Sequence, residues 1–546
     1  VSRREDIIAL PVPTVEERIR QIEAEPLPAN IGTLLEEAAA EVPGRLAWNF
    51  FESNERVTYR DLVRRVHALA NSLAQVGIRQ GDHVAVMLPN VEAMPLSWLA
   101  LTLMGATMVP CNIAYTAREV AYVADNGDVS WIIIDAECLP VLESLSPLPG
   151  KLASERVIVV GDRSAKYLRW EEIAASGEGR HQPAKAVQLD NLANIQYTSG
   201  TTGFPKGCML SHRYWLTTSK VNARRDGLKY RNILCPTPFF YMDPQWLLLM
   251  AFHQRATLHV ARRQSPSRFM QWVRDYEINF CLLPYLVLKQ PPSPDDKKHA
   301  LMRCNVYGIP QNIHAELEER FDLIAREAFG MTEAGTCLFM PIQAADMTGS
   351  GSCGKPGPFR QARIVGEDGK PVAQGEIGEL QIRGPGMLQG YYKNPEATNA
   401  AFDGDWFRTG DLFRQDERGY YYIVGRVKDM VRRAGENIAA REVEAVITGL
   451  PQVVEVGVIP VPDETRGEEV KACIVLQPGL SAGDVPPHVI FEHCTSRLAA
   501  FKVPRYLAYV DELPKTPSGK VAKGTLKSMS TDPTAGSYDR VQEKWR

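Results

Sequence analysis

Between residues 197 and 207 the chain reads Tyr-Thr-Ser-Gly-Thr-Thr-Gly-Phe-Pro-Lys-Gly. Thr198, Ser199, Thr201 and Thr202 bring hydroxyls, Lys206 brings an ammonium, and Gly200, Gly203 and Gly207 bring bare backbone. Hydroxyls and a cation are the two kinds of donor that phosphate oxygens accept from. Glycines let N–H groups approach a polyanion with no side chain in the way. The chemistry these types suggest is the gripping of a phosphate chain; the alternative reading is a flexible Ser/Thr/Gly surface loop. The G-x-x-x-x-G-K-[ST] spacing of a Walker A loop does not occur here. A second run, Gly349-Ser-Gly351-Ser-Cys-Gly354, satisfies G-x-G-x-x-G. It follows an irregular segment and precedes Lys355-Pro356, so it reads as a turn and not as a dinucleotide site.

The 197–207 loop follows an apolar strand, Leu192–Tyr197, and leads towards a helix starting near His212. Upstream, Thr58 with Asp61 resembles a capping box, and Leu62, Val66, Leu69, Leu73 and Val76 recur at helical spacing before Gly77. Apolar runs at Val84–Leu88, Trp131–Ile134, Val157–Val160, Ala193–Tyr197, Thr257–Val260 and Phe280–Leu283 read as buried strands. Strands alternating with helices predict layered α/β structure with substantially parallel sheets. From about Gly351 to Tyr422 short strands with frequent Gly and Pro predict a β-rich subdomain, and beyond Gly425 lies enough chain for a small α+β domain. The expected division is 1–427, a large N-terminal domain; 428–527, a small mobile domain; and 528–546, a polar, flexible tail.

Of 546 residues, 62 are basic and 65 acidic, leaving a formal charge of −3. That balance gives no basic face for nucleic acid or an anionic membrane surface. The ten cysteines include no C-x-x-C pair, so neither a zinc site nor a dithiol redox centre is signalled, and reduced, mostly buried thiols are expected. Residues 93–117 carry no charge and are long enough to span a bilayer. Their prolines, glycines and threonines favour instead a buried helix, Leu96–Gly105, running into a strand, Ala106–Pro110. The first twenty residues alternate charges with short apolar runs and contain no signal-peptide core. A cytoplasmic enzyme is the expectation, with a homodimer left open.

Further along, the chain resembles the adenylate-forming enzymes: acyl- and aryl-CoA ligases, peptide-synthetase adenylation domains and beetle luciferases. The 197–207 loop is similar to that family's phosphate-binding signature. Phe329-Gly-Met-Thr-Glu333, Gly378-Glu-Leu-Gln-Ile-Arg-Gly384 with Gly390-Tyr391, Trp406-Phe-Arg-Thr-Gly-Asp411, Gly425-Arg-Val-Lys-Asp429 and Pro514-Lys-Thr-Pro-Ser-Gly-Lys520 follow in the family's order. The resemblance implies a carboxylic acid substrate, ATP, Mg²⁺ and coenzyme A. It implies that Thr332 contacts the α-phosphate, Glu333 holds Mg²⁺, and Thr198, Ser199, Gly200, Thr201, Thr202, Gly203 and Lys206 grip the β- and γ-phosphates. Asp411 is implied as the ribose ligand with Arg426 assisting, and Gly308, Ile309, Pro310, Phe329, Gly330 and Met331 as the nucleotide-binding wall. Phe329 stands where the family usually has Tyr, which keeps a ring for adenine and loses a hydroxyl.

Lys520 is implied to reach the α-phosphate and the acid during adenylation. Lys428 matches the hinge, about which the family's C-terminal domain turns to bring Arg433, Ala434, Gly435 and Glu436 to the site for the thioester step. Phe501 and Arg505 are candidates for contact with the CoA nucleotide. On residue type alone, Lys520 is equally an exposed lysine, Asp411 a turn residue, Glu333 a helix-start charge, and Phe501 and Arg505 an exposed rim.

For the acid, Phe239-Phe-Tyr241-Met-Asp243-Pro-Gln-Trp246 puts four rings in eight residues. Phe239, Tyr241, Trp246, Tyr307, Gly308 and Met331 are the expected pocket. The rings suit a bulky apolar or aromatic acid, or a quaternary ammonium held by cation–π contact, or are simply core. The second option is of interest because Arg433–Glu444 and Ala500–Tyr506 are similar to carnitine/crotonobetaine-CoA ligases. Tyr307-Gly-Ile-Pro310 departs from the family's Gly-Gly-Ala-Pro. An acyl-CoA ligase is thus expected. A carrier-loading adenylation enzyme, a luciferase-like oxygenase and an inactive nucleotide sensor are the rivals; Glu333, Asp411 and Lys520 together disfavour the sensor, and the short chain beyond Lys520 disfavours a fused carrier.

Overall fold

The computed structural model describes residues 2–161, 166–198, 205–434, 436–516 and 519–546, with Asn437 described by its backbone alone. Two compact units emerge. The first comprises the chain up to Thr198, Pro205–Gln361 and Ile382–Phe407; the second comprises Ala362–Gln381 and Arg408–Arg546.

Two parallel-rich sheets with helices between strands build the first unit. One runs Leu168–Arg169, Val157–Val160, Trp131–Asp135, His83–Met87, Thr107–Pro110, Leu192–Thr198, Lys206–Ser211. All its pairings are parallel except the last, which is an antiparallel hairpin. The other sheet carries, in order, Ser352–Pro356, Gly335–Phe339, Ala325–Met331, Arg303–Val306, Phe280–Leu282, Asn232–Cys235, Thr257–Val260, Leu46–Phe50 and Glu55–Thr58. Local chemistry starts the helices where expected. Thr58 caps Tyr59–Val76, and Gly77 ends it at φ +119°, a left-handed cap that costs glycine nothing.

The uncharged 93–117 stretch holds the helix Ala93–Met104 and the strand Thr107–Pro110, both buried. Among the described residues no helix is long and apolar enough to cross a membrane. All ten cysteines are buried free thiols.

The second unit begins with a small β-sheet. Strands Gln361–Val365, Gly378–Arg383, Trp406–Gln415 and Tyr421–Arg426 are neighbours in that order, and the last two pair antiparallel with Asp411 opposite Arg426. Most residues of these strands belong to the same compact unit as the C-terminal residues. Close packing explains it: a Cβ on Gly425 would stand 3.2 Å from that of Ala439, and Arg432 pairs with Glu367 at 3.4 Å.

The C-terminal sheet runs Glu436–Ala439, Met430–Arg433, Gly467–Leu476, Tyr506–Tyr509, Tyr538–Asp539, Lys544–Trp545, with Val453–Asp463 paired on Gly467–Leu476. Residues 528–546 include the short strands Tyr538–Asp539 and Lys544–Trp545. Asp539, 0% exposed, accepts from Arg505 at 3.3 Å and pairs with Arg546 at 2.9 Å. Two guanidinium partners for one carboxylate fix a segment whose polar composition reads as loose.

Candidate active site

The strands Leu192–Thr198 and Lys206–Ser211 set Thr198 opposite Lys206 and Tyr197 opposite Gly207. The loop thus joins two antiparallel strands, and the helix His212–Arg224 begins only after the second, where Ser211 accepts from the Tyr214 N–H at 3.3 Å. Expecting the loop to lead towards a helix overlooked this strand, because Lys206–Ser211 carries little alternation of polarity. Ser199, Gly200, Thr201, Thr202 and Gly203 lie outside the described residues, as does Gly435.

Gly207 has a packing role. A Cβ there would stand 2.7 Å from Ile195 Cγ2 and 3.1 Å from Tyr197 Cζ. Gly207→Ala is expected to destabilise the first unit by about 1–3 kcal/mol, read as a lowered denaturation midpoint. Lys206, half-buried, places its ammonium 4.8 Å from the centre of the Tyr391 ring.

A second hairpin carries the Phe329–Glu333 signature. Met331 faces Gly335 across it, leaving Thr332, Glu333 and Ala334 as the turn, closed by the Ala334 N–H on Met331 O at 3.2 Å. Gly335 takes φ +66°, and a Cβ on it would fall 2.3 Å from Thr218 Oγ1. The turn therefore presents one hydroxyl and one carboxylate side by side. Thr332 Oγ1 lies 3.7 Å from Met242 Sδ, and Glu333 Oε1 accepts from the Tyr391 hydroxyl at 3.1 Å. Cys208, buried beneath, also bonds Glu333, and burial pushes its thiol well above the ordinary range. One hard carboxylate in this setting fits Mg²⁺, whose remaining ligands are phosphate and water.

Beside this strand, Gly308, Ile309 and Pro310 link the strand Arg303–Val306 to the helix Gln311–Phe321. Gly308 takes φ +64°. Sequence reasoning missed what holds this loop. Glu327, buried in the neighbouring strand, accepts from the Gly308 N–H at 3.2 Å and the Ile309 N–H at 2.9 Å. Its signal was an acid two residues before Phe329, in the buried first half of the strand.

Of the expected acid pocket, Phe239 and Trp246 are 1% and 3% exposed. Phe239 stacks on Phe50 at 6.5 Å, and the Trp246 indole donates to Asp243 at 2.9 Å. Trp246 sits in the core because the helix Met242–Gln254 is apolar nearly all round, and Phe239 is buried against Phe50 before that helix begins. Tyr241 is half-buried, its hydroxyl accepting from Asn112 at 3.2 Å, and burial raises its pKa. Tyr307 is 46% exposed, with its hydroxyl tethered inward by Asn305 at 3.1 Å. Gly330 is exposed, whereas Phe329 and Met331 are half-buried on the same strand.

Within the second unit, Asp411 is 3% exposed and accepts from Arg426 Nε at 2.9 Å. Burial raises its pKa; Arg426, and then the charges of Lys520 and Arg441, oppose the shift. Lys520 is exposed on a turn in which its N–H meets Thr516 Oγ1 at 3.2 Å. Lys428 lies in the short helix Val427–Asp429, and Lys523 ties Asp429 to Glu444 at 3.5 and 2.6 Å.

The CoA candidates are differently disposed. Arg433 is bonded to Glu469 at 2.6 Å, and Arg505 to Asp463 at 2.8 Å as well as to Asp539. These carboxylates already engage much of the positive charge. Phe501 is half-buried, and Ala434 and Glu436 are exposed, Ala434 at φ +50°.

A hydroxyl, a carboxylate and an ammonium at two hairpins of an α/β unit, and a buried carboxylate with three cations acting on it in the other, suit an adenylate-forming enzyme. The AMP-binding enzyme profile matches residues 35–392, and that of the AMP-binding enzyme C-terminal domain matches residues 442–520. The chain belongs to the family of AMP-binding enzymes, and its reaction class is that of the AMP-forming acid–CoA ligases, which use ATP, Mg²⁺ and CoA.

A crotonobetaine/carnitine–CoA ligase of Proteus mirabilis is 30% identical, the match covering 89% of this chain and 97% of that protein. The ATP-bound MatB of Rhodopseudomonas palustris superposes with a TM-score of 0.80 at 26% identity, covering 91% and 98% of the two chains. A fatty acyl CoA synthetase of Mycobacterium tuberculosis gives 0.72 at 26% identity, covering 92% and 98%.

Proposed function

We propose that this chain makes the CoA thioester of a carboxylic acid with a bulky apolar or aromatic body, in two steps. The acid's carboxylate oxygen attacks the α-phosphorus of ATP, the bond to the β-phosphate oxygen breaks, and pyrophosphate leaves. The CoA sulfur then attacks the acyl carbon, its thiol proton is lost, and AMP departs. The observation that carries this reading is the contact of both Lys206 and Glu333 with Tyr391, with Thr332 next to Glu333 in the same turn.

In this reading Thr332 donates to the α-phosphate, and Lys206 with the 198–203 loop holds the departing phosphates. Mg²⁺, when bound at Glu333, neutralises phosphate charge. Gly308–Pro310, held by Glu327, and Phe329 flank the adenine, while Asp411 takes the ribose hydroxyls. Lys520 serves adenylation, and Lys428 is the pivot between the two half-reactions. Donors placed where charge develops lower the barrier without reorganising.

Tyr241 and Tyr307, the expected pocket rings with exposed surface, support an aromatic or apolar acid. A second reading, an acid bearing a quaternary ammonium, is favoured by the Proteus mirabilis relative and by the charge of Asp243, which acts on Tyr307. ATP–pyrophosphate exchange across an acid panel, with and without CoA, tests both. Exchange with aryl and branched acids is the expected result; exchange with betaines alone favours the second reading, and none at all ends both. Tyr241→Ala is expected to alter kcat/KM ratios between bulky and small acids by about tenfold with ATP affinity unchanged; an unaltered acid profile removes Tyr241 from the pocket. A cytoplasmic location and a homodimer belong to the same reading, to be read by cell fractionation and light scattering.

A further inference from the structure

Tyr391 touches both charged groups of the phosphate and metal reading, Lys206 and Glu333. Its ring face receives the Lys206 ammonium, with Nζ 4.8 Å from the centroid. Its hydroxyl donates to Glu333 Oε1 at 3.1 Å. The side chain is 7% exposed, so both contacts are made largely out of water, where cation–π and charge-assisted bonds are strongest.

The backbone around it is clamped from two sides. The Leu388 N–H bonds the carbonyl of Glu333 itself at 2.8 Å. Gln389 N–H to Met209 O, Met209 N–H to Gly390 O and Tyr392 N–H to Gly207 O follow at 2.9, 2.9 and 2.8 Å, adding this segment to the strand that begins at Lys206. Thr398 Oγ1 accepts from the Tyr391 N–H at 2.9 Å. Gly390, at φ +135°, has Thr398 Cγ2 only 3.0 Å from where a Cβ would stand. One short segment is thus stitched to the turn that presents Glu333 and to the strand that presents Lys206.

We propose that Tyr391 is a positioning residue that sets the spacing between the phosphate-binding ammonium of Lys206 and the metal-binding carboxylate of Glu333. Lys206 and Glu333 attract each other, and a direct pair between them would occupy the groups the substrate needs. The phenol gives each a partner of its own: the ring face for the cation, the hydroxyl for the anion. A hydrogen bond to one carboxylate oxygen also fixes the rotamer, which orients the group towards a cation, as partners of metal ligands do elsewhere. The inference rests on the roles given above to Lys206 and Glu333.

The test separates the two halves of the phenol and needs no turnover. Tyr391→Phe keeps the ring and removes the hydroxyl; Tyr391→Leu removes both. Binding of α,β-methylene-ATP is measured by calorimetry in EDTA and across a Mg²⁺ series, with Mn²⁺ binding to the enzyme–analogue complex followed by EPR. Tyr391→Phe is expected to weaken metal binding about tenfold and to leave binding in EDTA within about twofold. Tyr391→Leu is expected to show the same metal defect and, in addition, several-fold weaker binding in EDTA, because Lys206 loses its seat.

Glu333→Gln is the reference. A metal defect in Glu333→Gln without one in Tyr391→Phe overturns the role given to Tyr391 alone. No metal defect in either overturns the metal reading of Glu333, and this inference with it. Melting curves with native cooperativity in the isosteric Tyr391→Phe keep misfolding out of the comparison.

Discussion

Lys520→Ala is expected to slow acyl-adenylate formation by about a hundred- to a thousandfold while leaving thioester formation from supplied acyl-adenylate within a few-fold of normal. Adenylation is the half-reaction in which negative charge develops on the departing pyrophosphate and a carboxylate must approach a phosphate. An ammonium stabilises both, and removing one such donor costs about 3–4 kcal/mol of barrier. Thioester formation develops its charge on the acyl oxygen and the departing AMP, and in the domain rotation proposed about Lys428 it takes place with Lys520 withdrawn. Exposure of Lys520 on a turn makes the substitution structurally mild. Single-turnover assays of each half-reaction read the result, and equal loss in both contradicts the division of labour.

Asp411→Ala is expected to weaken ATP binding by about a hundredfold or more. Two ribose hydroxyls donating to one carboxylate make two charge-assisted bonds, each contributing about 1.5–3 kcal/mol. Asp411 is already desolvated at 3% exposure and held by Arg426 at 2.9 Å, so its oriented oxygens need little rearrangement to accept them. Asp411→Asn, with one acceptor left, is expected to lose about tenfold. The specific check uses 2′,3′-dideoxy-ATP. The native enzyme binds it weakly, and Asp411→Ala binds it no worse than ATP, because the two losses are the same interaction counted from either end. If the penalties for substitution and for deoxygenation add, Asp411 acts elsewhere.

Legibility in the sequence followed the range of the interactions involved. Helix caps such as Thr58 and strands such as Val157–Val160 were readable because a residue's neighbours in the chain dictate them. Lys206 and its hydroxyl-rich loop stand out by residue type, while Thr332 and Glu333 are singled out only through the family resemblance. Contacts made across the fold were not. Glu327 reaches a loop some twenty positions upstream, and Tyr391 reaches Lys206 and Glu333 from two directions. Nothing in their immediate surroundings announces either. Phe239 and Trp246 share a ring-rich segment with Tyr241, yet packing on Phe50 buries the first and the helix Met242–Gln254 buries the second. Asp539 is a further long-range case: strand pairing at Tyr506 brings Arg505 to it, and pairing with Lys544 brings Arg546.

The ten sealed thiols give the molecule an internal clock. A thiol that is buried and held protonated reacts with an alkylating reagent only while its surroundings open. Cys208 lies on the strand after Lys206, under Glu333, so its labelling half-time measures how often that hairpin comes apart. Cys494 and Cys473 keep separate time in the C-terminal sheet and its helices. Mass spectrometry of a partly labelled sample would rank the regions by local opening, and a nucleotide that lengthens the half-time at Cys208 while sparing Cys494 would show which part of the molecule it steadies.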